Sequence, residues 1–252
     1  MGNKINWLNL VFVIDESGSM WSSKEDTLGG FKSVIEEQKK LNDGKVTISL
    51  YKFNDTVKCV YKGVDVNDIE ELQYSPNGCT AMNDGIGTAI TDIGKWLYSK
   101  DVNGEDMPSA TLVVIMTDGL ENASTEYKLS TVKDMIKEQT DKYSWQFMYI
   151  GNDLTTSKDA DDLGIKLRAF TSKKSLGKGY DMINSVATNY RACFAMMDAD
   201  AANANLAMNL ESTANALTEE YEKEIGQKIG KKIDTTISDQ SPDVILPSLQ
   251  NA

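Results

Sequence analysis

A short polar segment directly after an apolar run carries the oxygen-bearing side chains that a metal site needs. Leu8 to Ile14 is an almost unbroken apolar run, which is typical of a central parallel strand covered on both faces. Asp15, Ser17 and Ser19 follow at alternate positions. Gly18 allows the chain to turn sharply between them. One carboxylate and two hydroxyls can therefore be directed at a common point, and oxygen ligands of this kind suit a hard cation.

The same segment is also compatible with a polar turn that caps a following helix, which the sequence predicts from Ser22 onward. Two later positions favour the metal site. Thr80 stands where a glycine-containing loop enters a helix, and Asp118 follows a second apolar run, Leu112 to Met116. In a doubly wound sheet of order 3-2-1-4-5-6, the first and fourth strands are neighbours, and ligands bind at their carboxyl ends. Asp15 and Asp118 are therefore predicted to face each other.

At these residues the sequence resembles the von Willebrand factor A-like domains, which include the ligand-binding inserted domains of integrins. The matching residues are Asp15-Glu16-Ser17-Gly18-Ser19, Thr80 and Asp118-Gly119. The resemblance covers about residues 5 to 172 as a pattern of elements. Stand-alone bacterial and bacteriophage proteins of this family resemble the chain in lacking an export signal, which implies a role inside the cell, in complex assembly or stress response.

The resemblance implies a metal-ion-dependent adhesion site with these ligands: Asp15, Ser17, Ser19, Thr80 and Asp118. In the family the ion is usually Mg²⁺, and Mn²⁺ is the expected substitute. The serines and, in one state, the threonine ligate directly, whereas the aspartates ligate directly or through water. The sequence departs from the family at Cys79, where Gly or Ser is frequent and where we expect small-residue packing. Gly85 and Gly87 are expected to weaken the first turns of the helix after Thr80.

The charge of such a site determines what it can bind. Two aspartates neutralise a divalent cation, whereas hydroxyl ligands reduce its field only slightly, so the ion still attracts an anionic oxygen. The resemblance implies that a Glu or Asp side chain of a protein partner supplies this oxygen. We therefore predict a Mg²⁺-dependent protein-binding module for adhesion or complex assembly. Specificity is expected from the rim of loops near Met20-Trp21, Asn77 and Glu121.

A metal-dependent phosphohydrolase or phosphotransferase is the alternative, because Mg²⁺ at strand ends can also serve phosphoryl transfer. The chain has no histidine, and no second aspartate stands two residues after Asp15. Glu16, Asp84 and Glu121 are the candidate bases. Their simplest structural roles are a solvent-facing side chain, a helix cap and the start of a helical turn, respectively. We predict no catalytic residue and no enzymatic activity.

Composition narrows the range of partners and compartments. The 252 residues carry a formal net charge of −12, which opposes binding to nucleic acid or to an anionic membrane surface. Cys59, Cys79 and Cys193 are widely separated, so no disulfide framework is indicated. Because no signal-peptide pattern follows Met1, we predict a cytoplasmic protein. The oligomeric state is left open.

Alternating strand and helix patterns predict an α/β fold. The expected architecture is a Rossmann-like, doubly wound, mostly parallel six-stranded sheet with one antiparallel edge strand, helices on both faces and a C-terminal helical extension. The predicted strands are Leu8–Ile14, Val46–Phe53, Val57–Tyr61, Leu112–Met116, Trp145–Ile150 and Ile165–Phe170. The predicted helices are Ser22–Leu41, Met82–Ser99, Thr131–Thr140, Ser157–Leu163, Tyr180–Met197 and Ala201–Ile225. The predicted divisions are a main domain (1–199), a helical extension (200–225) and an extended tail (226–252).

Overall fold

The sheet that carries the predicted ligands has six strands. A computed structural model describes residues 7–40, 44–151, 154–170, 179–188 and 223. The strands are β1 (Trp7–Asp15), β2 (Lys45–Phe53), β3 (Val57–Asp65), β4 (Ala110–Met116), β5 (Gln146–Gly151) and β6 (Leu167–Phe170). Their order is β3-β2-β1-β4-β5-β6, with β2 and β3 antiparallel and the other described pairs parallel. The predicted sheet, strand order and antiparallel edge strand are confirmed.

Helices alternate with these strands along the chain. They are α1 (Lys24–Lys40), α2 (Met82–Val102), α3 (Leu129–Tyr143) and α4 (Leu154–Leu163). Short 3-10 helices span Gly18–Ser23 and Val66–Asp68, and residues 179–188 are also helical. This alternation confirms the Rossmann-like α/β class. None of the helices in the described part of the chain is long and apolar enough to cross a membrane.

Several predicted boundaries are wrong by a few residues. The helix predicted from Ser22 begins as a 3-10 helix, and α1 proper starts only at Lys24. Helix α2 runs past Ser99, because the first glycine after Ser99 with a left-handed backbone is Gly104, at φ +67°. Strand β3 runs past Tyr61 because it stays paired with β2 across register shifts.

The core lies on both faces of the sheet, and β1 is buried along its whole length. Leu10 and Phe12 point to the face covered by α1 and by residues 179–188. Val11 and Val13 point to the opposite face, which is covered by α2 and α3. A strand buried on both faces needs apolar residues at consecutive positions, which explains the unbroken run in the sequence.

The topology brings the carboxyl ends of β1 and β4 together. Ile14 pairs with Met116 in parallel register, so Asp15 and Thr117 follow side by side. On the other side of β1, Asp15 pairs with Phe53 at the end of β2. The loops that follow these strands therefore share one edge of the sheet.

The predicted C-terminal divisions stay predictions. Residues 200–225 and 226–252 lie outside the described residues, apart from the helical Lys223. Cys193 also lies outside them, whereas Cys59 and Cys79 are exposed free thiols.

Candidate metal centre

Asp15 is held in place at the end of β1 and is completely buried. Its Oδ1 accepts a hydrogen bond from the Ser17 N–H at 2.7 Å, and its Oδ2 accepts one from the Thr117 hydroxyl at 2.6 Å. The Tyr74 hydroxyl donates to the main-chain carbonyl of Asp15. Burial is the main cause that raises the pKa of Asp15 to about 6, while the hydrogen bonds from Thr117 and Ser17 lower it. The charged carboxylate is thus disfavoured by burial, a cost that a bound cation would offset.

Three hydroxyl groups converge beside this carboxylate. The Oγ atoms of Ser17 and Ser19 are 3.0 Å apart. A Cβ atom placed on Gly119 would lie 3.2 Å from both Ser19 Oγ and Thr80 Oγ1. The same point lies 3.8 Å from Asp15 Oδ2. These oxygens therefore surround a small volume next to Gly119, which the missing side chain leaves open.

Asp118 completes the group of predicted ligands. Both of its carboxylate oxygens are buried. Its negative charge is one of the influences, smaller than burial, that raise the pKa of Asp15. The two carboxylates are therefore close enough to repel each other, and a cation between them would relieve that repulsion.

The residues fit a magnesium ion in donor type and in spacing. All five predicted ligands, Asp15, Ser17, Ser19, Thr80 and Asp118, offer hard oxygen atoms. Neighbouring ligands of an octahedral ion with bonds of about 2.1 Å lie about 3.0 Å apart. The Ser17–Ser19 oxygen separation of 3.0 Å matches that edge. In the described part of the chain no group of three Asp, Glu, Cys or His side chains could hold a metal, so a site here depends on the hydroxyls.

Comparison with known proteins agrees with this fold. The family model described as von Willebrand factor type A domain matches residues 9–204, which is more than half of the chain. The chain belongs to the von Willebrand factor type A (VWA) domain family. Members of this family commonly bind a divalent metal and mediate protein–protein interactions. No curated protein matches this VWA chain.

Solved structures share the VWA fold at low sequence identity. Proximal thread matrix protein 1 from the mussel byssus is 18% identical, with a TM-score of 0.54 over 72% of this chain and 46% of that chain. A von Willebrand factor type A protein from Catenulispora acidiphila is 17% identical, with a TM-score of 0.50 over 72% and 42%. The vWF domain of the type V pili tip protein Mfa5 from Porphyromonas gingivalis is 11% identical, with a TM-score of 0.51 over 72% and 95%. The chain spans less than half the length of the first two proteins, and the likeness concerns the fold.

Glu16 in this VWA domain does not face solvent, contrary to the prediction. Its Oε1 accepts hydrogen bonds from Lys52 Nζ and from the Ser75 N–H, both at 2.7 Å. Its main-chain carbonyl accepts from the Asn77 N–H at 2.8 Å. Lys52 also donates to the Gln73 carbonyl at 2.6 Å. Glu16 therefore ties the loop after β1 to the segment that leads to Thr80.

Asp84 and Glu121 also have roles other than those predicted. The N-cap residue of α2 is Ala81, which makes no side-chain cap, so Asp84 does not cap its own helix. The Asp84 carboxylate instead accepts hydrogen bonds of 2.7 to 3.0 Å from the N–H groups of residues 125–127. Glu121 caps α2 from the neighbouring loop by accepting the Asn83 N–H at 2.8 Å. Both carboxylates hold the loop after β4 against the start of α2.

Thr117 and Asn122 are site residues that the sequence did not reveal. The Thr117 hydroxyl donates to Asp15 and accepts the Gly119 N–H at 3.1 Å. A polar residue directly after β4 is a signal that could have found Thr117. Asn122 binds the main chain of Thr80, which is 42 positions away in sequence. No local pattern could have indicated that contact.

Two residues beside the site depart from the prediction. Cys79 is exposed and does not pack as a small core residue. Its N–H donates to Asp55 Oδ1 at 3.2 Å, and a hydrogen bond to the Asp55 carboxylate raises the pKa of its thiol. Met20, predicted at the rim, is only 1% exposed and belongs to the core, whereas the next residue, Trp21, is 63% exposed.

Proposed function

We propose that this VWA domain is a divalent-metal-dependent protein-binding module. The metal, Mg²⁺ or Mn²⁺, would be held by Asp15, Ser17, Ser19, Thr80 and Asp118. The observation that carries the proposal is the convergence of the serine and threonine hydroxyls beside Asp15, around the open volume at Gly119. When bound, the ion supplies a positive centre whose field neutral hydroxyl ligands hardly reduce. The final ligand is a Glu or Asp carboxylate of the partner.

The segments that carry the predicted ligands suit a protein partner, because they expose no charge, although the exposed Asp55 lies against Gly78 and Cys79. The structure describes every residue of segments 16–23, 75–80 and 117–122, and none of their exposed residues carries a charge. The exposed side chains are Ser19, Trp21, Ser22, Ser75, Asn77, Cys79, Leu120 and Asn122. Trp21 is 63% and Leu120 is 54% exposed. The centres of protein interfaces are poor in charge, and tryptophan is enriched among the residues that contribute most to binding.

The candidate bases of the phosphohydrolase or phosphotransferase alternative all accept hydrogen bonds that hold neighbouring segments together. A general base must reach the substrate with an available lone pair. Glu16 is engaged by Lys52 and Ser75, and Asp84 accepts three main-chain N–H groups. Glu121 accepts an N–H group from the first turn of α2 and two from its own loop. We infer that the domain binds and does not catalyse.

Calorimetric titration of Mn²⁺ into the whole chain tests the metal site. We expect the double variant Asp15→Ala/Asp118→Ala to lose binding, because it removes both carboxylates. The matched control is Asp101→Ala/Asp106→Ala, which removes two exposed aspartates at and beyond the far end of α2. Its affinity should equal that of the wild type. A double variant at Asp15 and Asp118 that binds as tightly as the wild type would place the metal elsewhere.

Selection of displayed peptides in the presence of Mg²⁺, with elution by EDTA, tests the partner chemistry. We expect the selected peptides to share a Glu or Asp, and the matching Gln or Asn peptides to lose binding. Peptides that bind equally as amides would contradict a carboxylate ligand. Metal-dependent hydrolysis of a phosphate ester that Asp15→Asn abolishes would instead favour the enzyme.

A further inference from the structure

The Asn122 side chain joins two loops that carry predicted metal ligands. Its Oδ1 accepts a hydrogen bond from the Thr80 N–H at 2.9 Å. In return, the Asn122 N–H donates to the Thr80 carbonyl at 3.0 Å. Both main-chain polar groups of Thr80 are thus bound by one residue. The Thr80 hydroxyl is then directed to the open volume beside Gly119.

The neighbouring residues on each loop are joined as well. Glu121 Oε2 accepts the Asn83 N–H at 2.8 Å, and Ser124 Oγ accepts the Asp84 N–H at 3.0 Å. The Asp84 carboxylate binds the N–H groups of residues 125–127 in the opposite direction. Residues 80–84 and 121–127 are therefore connected by hydrogen bonds running both ways. Separating the two loops would break several of these bonds at once.

We propose that Asn122 is a positioning residue that fixes Thr80 for metal binding. The link makes Thr80 and Asp118, which belong to different loops, parts of one preformed unit. This inference rests on the proposed metal site. A preformed site needs no partner to gather its ligands, so metal should bind in the absence of any partner. Residues that orient metal ligands in this way typically change metal affinity when they are replaced.

A purely structural role for Asn122 would give a different result. Asn122 is exposed, and its replacement leaves the core intact. If it acts through Thr80, its effect must disappear once the Thr80 hydroxyl is gone. A double-mutant cycle between the two residues measures this coupling directly. Asn122→Asp keeps the acceptor oxygen and serves as the conservative variant.

The test is calorimetric titration of Mn²⁺ into the full chain without a partner. We expect Asn122→Ala to weaken binding by about tenfold. In a Thr80→Ala background, Asn122→Ala should have no further effect on Mn²⁺ affinity. The single variant Asn122→Asp should bind Mn²⁺ at least as tightly as the wild type. Asn103→Ala, which alters an asparagine at the far end of α2, is the control and should bind like the wild type. In EDTA, Asn122→Ala should keep the circular-dichroism spectrum of the wild type, with a melting temperature lowered only by the loss of one hydrogen bond.

Two results would overturn the inference while leaving the metal site in place. They are wild-type affinity in Asn122→Ala, and an equal loss of affinity in the wild-type and Thr80→Ala backgrounds. An unchanged affinity in Thr80→Ala alone would show that Thr80 is not a ligand. That result would contradict the proposed site itself, and the two failures are therefore distinguishable.

Discussion

Asp15 is a buried carboxylate that is held by hydrogen bonds from the Ser17 N–H and the Thr117 hydroxyl, neither of which carries a positive charge. Burial raises its pKa from 3.8 to about 6. At pH values between these two, Asp15 is protonated in the folded chain but ionised in the unfolded chain. Asp15 therefore favours folding at low pH, and this contribution is lost as the pH rises through about 6.

We accordingly expect the metal-free protein to lose stability relative to Asp15→Asn as the pH is raised from about 4 to about 7. Asparagine does not titrate, and its amide can accept the Ser17 N–H and donate to the Thr117 hydroxyl. The measurement is the melting temperature of both proteins in EDTA across this range. Asp106→Asn, at an exposed residue away from the site, should show no such divergence from the wild type. If the difference in melting temperature between the wild type and Asp15→Asn stays constant with pH, the raised pKa of Asp15 is contradicted.

Gly119 offers a second test at the scale of one residue. A methyl group there would lie 3.2 Å from both Ser19 Oγ and Thr80 Oγ1, which is closer than an ordinary contact. We expect Gly119→Ala to lower Mn²⁺ affinity by about tenfold, an effect comparable to that of a disturbed ligand orientation, with the fold preserved. Gly94→Ala is the matched control, because its new methyl, in α2 and away from the predicted ligands, would meet no atom within 4 Å. Equal Mn²⁺ affinities for both variants in calorimetry would mean that the ion lies away from Gly119.

The sequence predicted oxygen-bearing side chains that the structure brings together, but not the residues that hold them in place. Asp15, Ser17 and Ser19 follow a strand at short spacing, so their common direction could be predicted locally. The sequence neighbours of Glu16 and Asn122 are also polar, so the local sequence does not distinguish these two residues. Their roles depend on hydrogen-bond donors more than twenty positions away. Such partners are set by the tertiary fold. A polar side chain in a loop has many local alternatives that the sequence cannot rank.

At the scale of elements, α1 is joined to the helical segment 179–188 by a close contact at Gly30. The buried Tyr180 ring lies where a Gly30 side chain would be, 1.8 Å from the position of its Cβ. The Tyr180 hydroxyl also donates to the Thr27 carbonyl at 3.0 Å. Glycine at this position thus lets the tyrosine reach the helix backbone.

We expect Gly30→Ala to destabilise the fold by about 2 kcal/mol, because the methyl group must displace a packed ring. Gly29→Ala is the matched control at the next position of the same helix. It is exposed with no atom within 4 Å, so alanine there should stabilise by up to about 1 kcal/mol through helix propensity. Denaturant unfolding of both variants measures the difference. Equal stabilities would show that residues 179–188 do not pack on α1 in solution.

Element order could be predicted from the sequence, but element ends could not. Apolar runs and alternating patterns gave all six strands and the helices between them. The end of α2 was misplaced because polar residues after Ser99 resemble a loop, although the left-handed turn that stops the helix comes at Gly104. Helix α3 ends in a similar turn at Ser144, at φ +57°, a conformation that serine seldom adopts and that no residue pattern announces.

At the scale of the whole molecule, the charge is distributed unevenly relative to the site. The chain carries −12, yet the exposed residues of segments 16–23, 75–80 and 117–122, all of them described, are uncharged. Glu16 is neutralised by Lys52 at 2.7 Å. An acidic partner is therefore repelled at long range by the molecule but meets no exposed charge on these three segments, and the exposed Asp55 lies beside them at Gly78 and Cys79. Composition alone predicted the long-range repulsion, whereas the uncharged rim depends on how the loops fold.

The contrast between long-range repulsion by the molecule and the short-range contact at the site predicts how the association rate of an acidic partner depends on salt. At about 10 mM ionic strength the screening length is about 30 Å, so an approaching carboxylate senses the charge of the whole domain. At about 150 mM it falls to about 8 Å, and only the rim and the ion remain within range. We expect the association rate of an acidic peptide in the presence of Mg²⁺ to rise between these conditions, whereas its dissociation rate changes little, because the metal contact is short-range. Surface plasmon resonance measures both rates.

The control for the salt series is the same peptide with added lysines outside its metal-binding carboxylate, so that its net charge is positive. Long-range attraction to the acidic domain should then give the opposite trend, with slower association as salt is added. Both peptides still bind through one carboxylate, so they should lose binding alike in EDTA. If instead both peptides associate at rates that do not depend on salt, the charge of the whole chain does not reach the site. Specificity would then lie entirely in the contact of Trp21, Leu120 and the metal-bound carboxylate.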